Sequence, residues 1–271
     1  MTSHYPHLST EIEDQVCWAL INRPLDRNSL NSPLMDQIEG LLGELAERGL
    51  RAVVFSGAGQ SHFIGGADGI EMMRLDPPGA RQFSRRFQQL LDRLEASPLL
   101  TVAAINGLCF GGGFELALAC DLRVATQASR IGLPEVKVGL IPGGGGTQRL
   151  PRLVGTGLAM EMILSGKLYG GQEAAEMGLV HRAVLDADLR QGVRDLLAPI
   201  LRQPQYALSL AKQAVKLSQH TTLPEGLARE AELFSHCHEH DFFRQLMEEQ
   251  LNSGVLSTSE ELGRPNKGRS S

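Results

Sequence analysis

Apolar positions along the first half of the chain follow two alternating rhythms. The run Val16-Cys17-Trp18-Ala19-Leu20-Ile21 is β-branched and aromatic and stops at Asn22-Arg23-Pro24, a turn signal, so residues 8–22 predict two short strands. Behind Ser32-Pro33, residues Leu34, Ile38, Leu41, Leu42 and Leu45 recur at helical spacing, which predicts a helix N-capped by Ser32 and running to about Arg48. Residues 52–57 and 101–107 are continuous apolar runs stopped by glycine, the pattern of strands buried on both faces, and residues 122–126 repeat it more weakly. Helical stretches over 79–95 and 113–120 lie between them. This alternation predicts an α/β fold with functional loops at strand ends. Residues 156–179 read as helix broken at Ser165-Gly166, and helical spacing resumes over 207–219 and 224–252. The chain therefore divides into a core over 1–203 and a helical region over 204–271, whose polar last stretch, 257–271, is expected to fray.

Composition narrows the function class. The 271 residues allow one large domain or two small ones, and 42% apolar with 21% charged residues is ordinary globular usage. The net charge of −5 argues against a nucleic-acid surface but not against a basic pocket for one phosphorylated ligand. Cys17, Cys109, Cys120 and Cys237 are scattered without a CxxC, which fits free thiols in a reducing compartment. No basic stretch followed by an apolar run opens the chain, and no run of about 18 apolar residues appears, so a cytoplasmic protein without a membrane span is expected.

Candidate chemistry lies in three glycine clusters, Phe63-Ile64-Gly65-Gly66-Ala67-Asp68, Asn106 to Glu115, and Ile141 to Leu150. Glycine runs let backbone N–H groups approach a ligand closely. The second cluster joins an apolar strand to a helix, which places Gly112 at a helix N-terminus where free N–H groups favour negative charge, including a developing oxyanion. Two carboxylates accompany the clusters. Glu115 falls in the first turn of that helix and Glu135 follows Gly132-Leu133-Pro134, and such a pair can hold and activate one water. Other motifs fail: Gly57-Ala58-Gly59 lacks the third glycine of a dinucleotide fingerprint, Gly166-Lys167-Leu168 is no phosphate loop, and there is no GxSxG elbow. His236 and His240 would share one face of a continuous helix, but they lack the HExxH order, and no metal is expected.

The order Phe-x-x-Gly-Ala-Asp, Gly-x-x-x-Gly-Gly-Gly-x-Glu-Leu-Ala-x-x-Cys-Asp, and Pro-Glu-x-x-x-Gly-x-x-Pro-Gly-x-Gly-Gly-Thr-Gln-Arg-Leu resembles the enoyl-CoA hydratase/isomerase (crotonase) family over about residues 12–200. The resemblance implies a spiral of ββα repeats followed by C-terminal helices that build a homotrimer or homohexamer. It implies oxyanion-hole N–H groups at Ala67 and Gly112 and catalytic glutamates at Glu115 and Glu135, with Glu135 the main proton shuttle. It places Gly65, Asp68 and Gly143 beside the substrate. The implied activity is reversible addition of water to a 2-enoyl-CoA thioester, with no cofactor because coenzyme A is part of the substrate. The alternatives are a Δ3,Δ2-enoyl-CoA isomerase and, further off, an RNA-binding relative. Two departures bear on coenzyme A. Ile70 stands where a lysine is usual, and Leu246 to Gln250 replaces the Phe-x-x-Lys-Arg signature. Arg23 and Arg27 are the remaining candidates for the coenzyme A phosphates. Residues 141–152 look most like hydratases of glutaconyl-type CoA esters, whose second carboxylate would want a cation, with Arg81, Arg85, Arg86 and Lys137 as candidates. Straight-chain enoyl-CoA is the alternative. Met72, Met73, Phe83, Phe87, Phe110, Leu140 and Ile141 are candidates for the acyl pocket.

Overall fold

The computed structural model describes residues 5–253. The opening apolar run forms an antiparallel hairpin of β1 (Leu8–Glu13) and β2 (Val16–Ile21). Asp14 and Gln15 turn it with φ of 47° and 66°, the left-handed geometry that matches strand twist. Helix α1 (Ser32–Glu47) follows, but its cap is Asn31, whose side chain accepts from the Leu34 N–H at 3.0 Å. Ser32 is instead the first helical residue, and both its N–H and hydroxyl are bound to Glu71.

Next come β3 (Ala52–Gly57), β4 (His62–Gly65), α2 (Gly69–Met72), α3 (Pro77–Ala96), β5 (Leu100–Ile105), β6 (Leu108–Phe110) and α4 (Gly112–Ala119). They are followed by β7 (Leu122–Thr126), β8 (Arg130–Gly132), α5 (Gly146–Val154), α6 (Thr156–Ser165), β9 (Tyr169–Gly170), α7 (Gly171–Glu176), β10 (Arg182–Val184) and α8 (Leu189–Leu201). The long strands form one sheet in the order β1-β2-β3-β5-β7-β10, parallel from β2 onward. The short strands form a second sheet, β4-β6-β8-β9. Each of β3, β5 and β7 thus leads into a short strand of the second sheet and then into helix, which is the ββα repeat made three times.

Alternation along the long strands separates two apolar layers. Val53, Phe55, Ala103 and Ile105 face α1, α3 and α4, where Ile38, Leu90, Leu94 and Phe114 pack. Val54, Val102 and Val124 face the other way onto Val193 and Leu197 of α8. Helix α4 is buried along its whole length. It sits so close to β4 that a Cβ at Gly113 would lie 2.7 Å from Ile64 Cβ and overlap the Ile64 carbonyl oxygen. Gly113→Ala is therefore expected to lower unfolding stability by about 1–3 kcal/mol, read as a reduced urea midpoint.

The described residues divide after Gln205 into two compact units. The helices from there on are α9 (Gln205–Leu217), α10 (Leu223–Cys237) and α11 (Phe242–Asn252). The single helix expected over 224–252 is thus broken between Cys237 and Phe242, because Asp241 starts a new helix. His236 and His240 consequently share no helix. His236 bonds Glu239 at 2.7 Å and His240 stacks on Tyr206. The expectation for residues 257–271 falls outside the described residues. Among those described, no helix is long and apolar enough to cross a membrane.

Candidate active site

Three chain reversals bring the glycine clusters to one place. At the end of β4, Gly65 lies against the Arg27 backbone, where a Cβ would come within 2.9 Å of the Arg27 carbonyl oxygen. Gly66 then takes φ of +86° and leads into a parallel bridge between Leu30 and Ala67. Leu30 N–H donates to Gly66 O at 2.9 Å and Asp68 N–H to Leu30 O at 2.7 Å, which leaves the Ala67 N–H facing away from Leu30. Asp68 caps α2, accepting from the Ile70 and Glu71 N–H groups, and its other oxygen takes Arg23 at 3.0 Å. Burial opposes the Asp68 charge, but Arg23 and the two N–H groups prevail and hold its carboxyl below the usual range.

Gly111, with φ of +55°, caps α4 and leaves Gly112 as its first residue. A Cβ at Gly112 would sit 3.4 Å from the Ala67 nitrogen and 3.4 Å from the Phe87 ring. The Ala67 nitrogen therefore neighbours the start of α4, and neither the Ala67 nor the Gly112 N–H meets a backbone acceptor among the described residues. Two donors from segments forty-odd residues apart thus flank one small gap floored by Phe87 and Leu30.

Glu115, one turn into α4, is only 2% exposed. Its Oε1 accepts from the Gly146 N–H at 2.8 Å, and the Gly144 and Gly145 N–H groups also support it. Burial raises its pKa; these N–H groups and the nearby Arg149 pull it partly back. The loop can wrap so tightly because it lacks side chains. A Cβ at Gly144 would lie 2.7 Å from Glu115 Oε2 and overlap Phe87. Gly143 contributes its carbonyl, which accepts from Ser84 Oγ at 2.7 Å and Gln88 Nε2 at 2.8 Å on α3.

Glu135 opens a 3-10 turn, Glu135–Val138. Its Oε1 would lie 3.4 Å from a Cβ at Gly111, and its Oε2 is buried with no hydrogen-bond partner. Burial pushes its pKa up to about 7; a hydrogen bond to its own backbone N–H pulls down, and the Glu115 charge adds to the rise. Two carboxyls held this differently, one cradled by N–H groups and one with a bare oxygen, can divide the handling of a single proton between them.

Ala67, Gly112, Glu115 and Glu135 are thus brought together, with Gly65, Asp68 and Gly143 supporting the loops around them. Arg23 is turned inward: it bonds Ser29 O, Asp26 and Asp68, and its side chain is 8% exposed. Arg27 is exposed beside Gly65, with φ of +58°. Of the four cation candidates, Arg86 pairs with Asp36, while Arg81, Arg85 and Lys137 are exposed. Phe87 is buried against Gly112 and Gly144, whereas Met73, Leu140 and Ile141 are exposed. Two residues not singled out in the sequence matter here. Asn28 is fully buried and bonds Ala58 O and His62 O, fastening the 23–28 turn to the start of β4. Arg149 grips the third loop by its Gly144 carbonyl. The Asn28 signal, a polar residue following a Pro-containing turn, is too common to stand out. Among the described residues no three His, Cys, Asp or Glu side chains gather as a metal site.

The family model for enoyl-CoA hydratase/isomerase matches residues 11–253. The chain belongs to that family. Among relatives, a short-chain-enoyl-CoA hydratase of Clostridium acetobutylicum is 36% identical over 84% of this chain and 87% of its own length. A methylglutaconyl-CoA hydratase of Rattus norvegicus is 37% identical over 78% of this chain and 68% of its own. The crystal structure of an enoyl-CoA hydratase from Bacillus anthracis superposes with a TM-score of 0.85 at 32% identity, covering 92% of this chain and 96% of that one. Membership agrees with the ββα repeats and with the three glycine segments meeting at one gap.

Proposed function

We propose that the protein is an enoyl-CoA hydratase that adds water reversibly across the 2,3 double bond of a 2-enoyl-CoA thioester. The observation that carries this reading is the pair Glu115 and Glu135 beside two free N–H groups. The Ala67 and Gly112 N–H groups receive the thioester oxygen and stabilise the enolate. Glu115 accepts one hydrogen of the attacking water and holds it. Glu135, as carboxylate, takes the other as the water oxygen bonds to C3, and then delivers that proton to C2. The water oxygen and one hydrogen end on C3, the other hydrogen on C2, and Glu135 returns to its starting charge. A pKa of about 7 suits a group that must both take and give a proton near neutrality.

The finer substrate reading is a glutaconyl-type ester such as 3-methylglutaconyl- or isohexenylglutaconyl-CoA. Arg81 and Arg85 support it, exposed on α3 on either side of Ser84, which holds the Gly143 loop. A straight acyl chain is favoured by the exposed apolar side chains Ile70, Met73, Leu140 and Ile141. Loss of conjugated-thioester absorbance with crotonyl-CoA and with 3-methylglutaconyl-CoA tests both. Loss with either ester supports the hydratase reading and the preferred ester sets the class; loss with neither, alongside consumption of a 3-enoyl-CoA, would make the protein an isomerase.

Coenzyme A contacts fall to Arg27, because Arg23 is tied to Asp68 and no lysine follows the loop. In the C-terminal unit Leu223, Leu227, Phe234, Phe242 and Phe243 are all at least half exposed. Such a density of exposed large apolar residues supports assembly through these helices. A particle of three or six chains is expected by analytical ultracentrifugation; a monomer at micromolar concentration would overturn that expectation.

A further inference from the structure

Arg149 lies on the opposite side of the third glycine loop from Glu115. Its Nη1 donates to Gly144 O at 2.9 Å, and its Nη2 bonds Asp92 at 2.9 Å and Glu95 at 2.8 Å on α3. The guanidinium lies against the loop, since a Cβ at Gly145 would run into Nη1. Its side chain is 15% exposed, and its Nε is buried without a hydrogen-bond partner. Gly145, with φ of +105°, reverses the chain between Gly144 and Gly146. The Gly144 carbonyl therefore points out to Arg149 while loop N–H groups point in to Glu115. Hydrogen bonds in such a chain polarise one another, so a cation on the outer carbonyl strengthens the inner donors.

We propose that Arg149 is a positioning residue: by gripping the Gly144 carbonyl and anchoring it to α3, it fixes the loop that aims and charges Glu115. Its kinetic consequence rests on the hydratase reading; its structural one does not. Four ionisable groups bear on Glu115. Arg149 lowers the cost of its charge, Glu135 is the neighbour whose own charge Glu115 opposes, and Asp92 and Glu95 are bonded to Arg149. Both glutamates act as carboxylates in the proposed hydration, so the acid side of the pH profile reports the pair.

The test compares Arg149→Gln and Arg149→Lys with wild type. It measures kcat and KM against pH and follows the Glu115 carboxyl by carbon-13 NMR, assigned with Glu115→Gln. Removing the cation disfavours the charged pair. In Arg149→Gln the acid limb is expected to move to higher pH by about half a unit or more. At pH 7, kcat is expected to fall about ten- to a hundredfold with KM within a few-fold. The Glu115 carboxyl titrates at higher pH in the same variant. Arg149→Lys keeps the charge, and is expected to keep the limb while losing part of kcat. A profile scaled down without displacement, or an unmoved Glu115 titration, overturns the proposal, because a general loss of structure lowers activity at every pH alike. If Arg149→Gln does not fold, a displaced limb or wild-type kcat in Arg149→Lys overturns it. If wild type hydrates no enoyl-CoA, the hydratase reading falls, and the carboxyl titration alone decides the role of Arg149.

Discussion

Glu135→Gln is expected to lower kcat about a thousandfold and to leave KM within a few-fold. Glutamine fills the same space beside Gly111 but can neither take the proton from water nor return it to C2. In the wild-type enzyme, kcat/KM should rise with pH through about 7, where the Glu115–Glu135 pair completes its ionisation at Glu135; in the variant that rise should disappear and leave only the limb that Glu115 sets. Stability is expected to move the other way. The folded state raises the pKa of Glu135 from 4.5 to about 7, so folding favours its protonated form. The charged form therefore costs stability, increasingly from pH 4.5 upward and fully above 7. At pH 8 the variant is thus expected to be more stable by on the order of 2 kcal/mol, an advantage that vanishes below pH 4. Denaturant curves at the two pH values check this. An inactive variant with no gain at pH 8 would mean that Glu135 is less buried than described, and wild-type turnover would remove it from the chemistry.

The second large effect is expected from one methyl group. Gly112→Ala puts a Cβ 3.4 Å from the Ala67 nitrogen, in the gap the thioester oxygen is proposed to enter. A loss of about a hundred- to a thousandfold in kcat/KM is expected, the scale of removing an oxyanion-hole donor. The fold should tolerate the change. The added carbon meets Leu30, Ala67 and Phe87 at 3.3–3.4 Å, tight but free of overlap, and the position begins a helix where alanine is a better former than glycine. An unchanged urea midpoint with collapsed kcat/KM is the expected combination. Wild-type kcat/KM would show that this gap does not hold the reacting carbonyl.

Much of this site could be read from the chain because its parts are backbone groups next to glycines. Ala67, Gly112, Glu115 and Glu135 each sit in a local pattern of residue types, and the structure brings all four together. Strands β2, β3 and β5 were legible because four to six apolar residues in a row leave little alternative. The second sheet was not, since β6, β8 and β9 are two or three residues long, too short for any periodicity, and form only by pairing with one another. Arg23 looked like an exposed turn cation because its partner Asp68 lies far along the chain. Arg149 was legible only as one member of the third motif, since its role depends on Asp92 and Glu95 arriving from another helix. The break before α11 had a usable sign, an aspartate ahead of two phenylalanines, but neither glycine nor proline marks it.

The bridge between Leu30 and Ala67 ties together segments that ordinary helix and sheet formation would leave apart. The Ala67 N–H takes its direction only after β4 has paired with β6 and the 23–30 segment has closed on the end of β4. Each of these steps joins distant stretches of a parallel architecture, which is the slow kind of contact to make. A refolding chain would therefore regain most of its secondary structure while still unable to bind a thioester oxygen. Catalytic competence would be the last property to return, and its recovery a kinetic marker for the final closure of this fold.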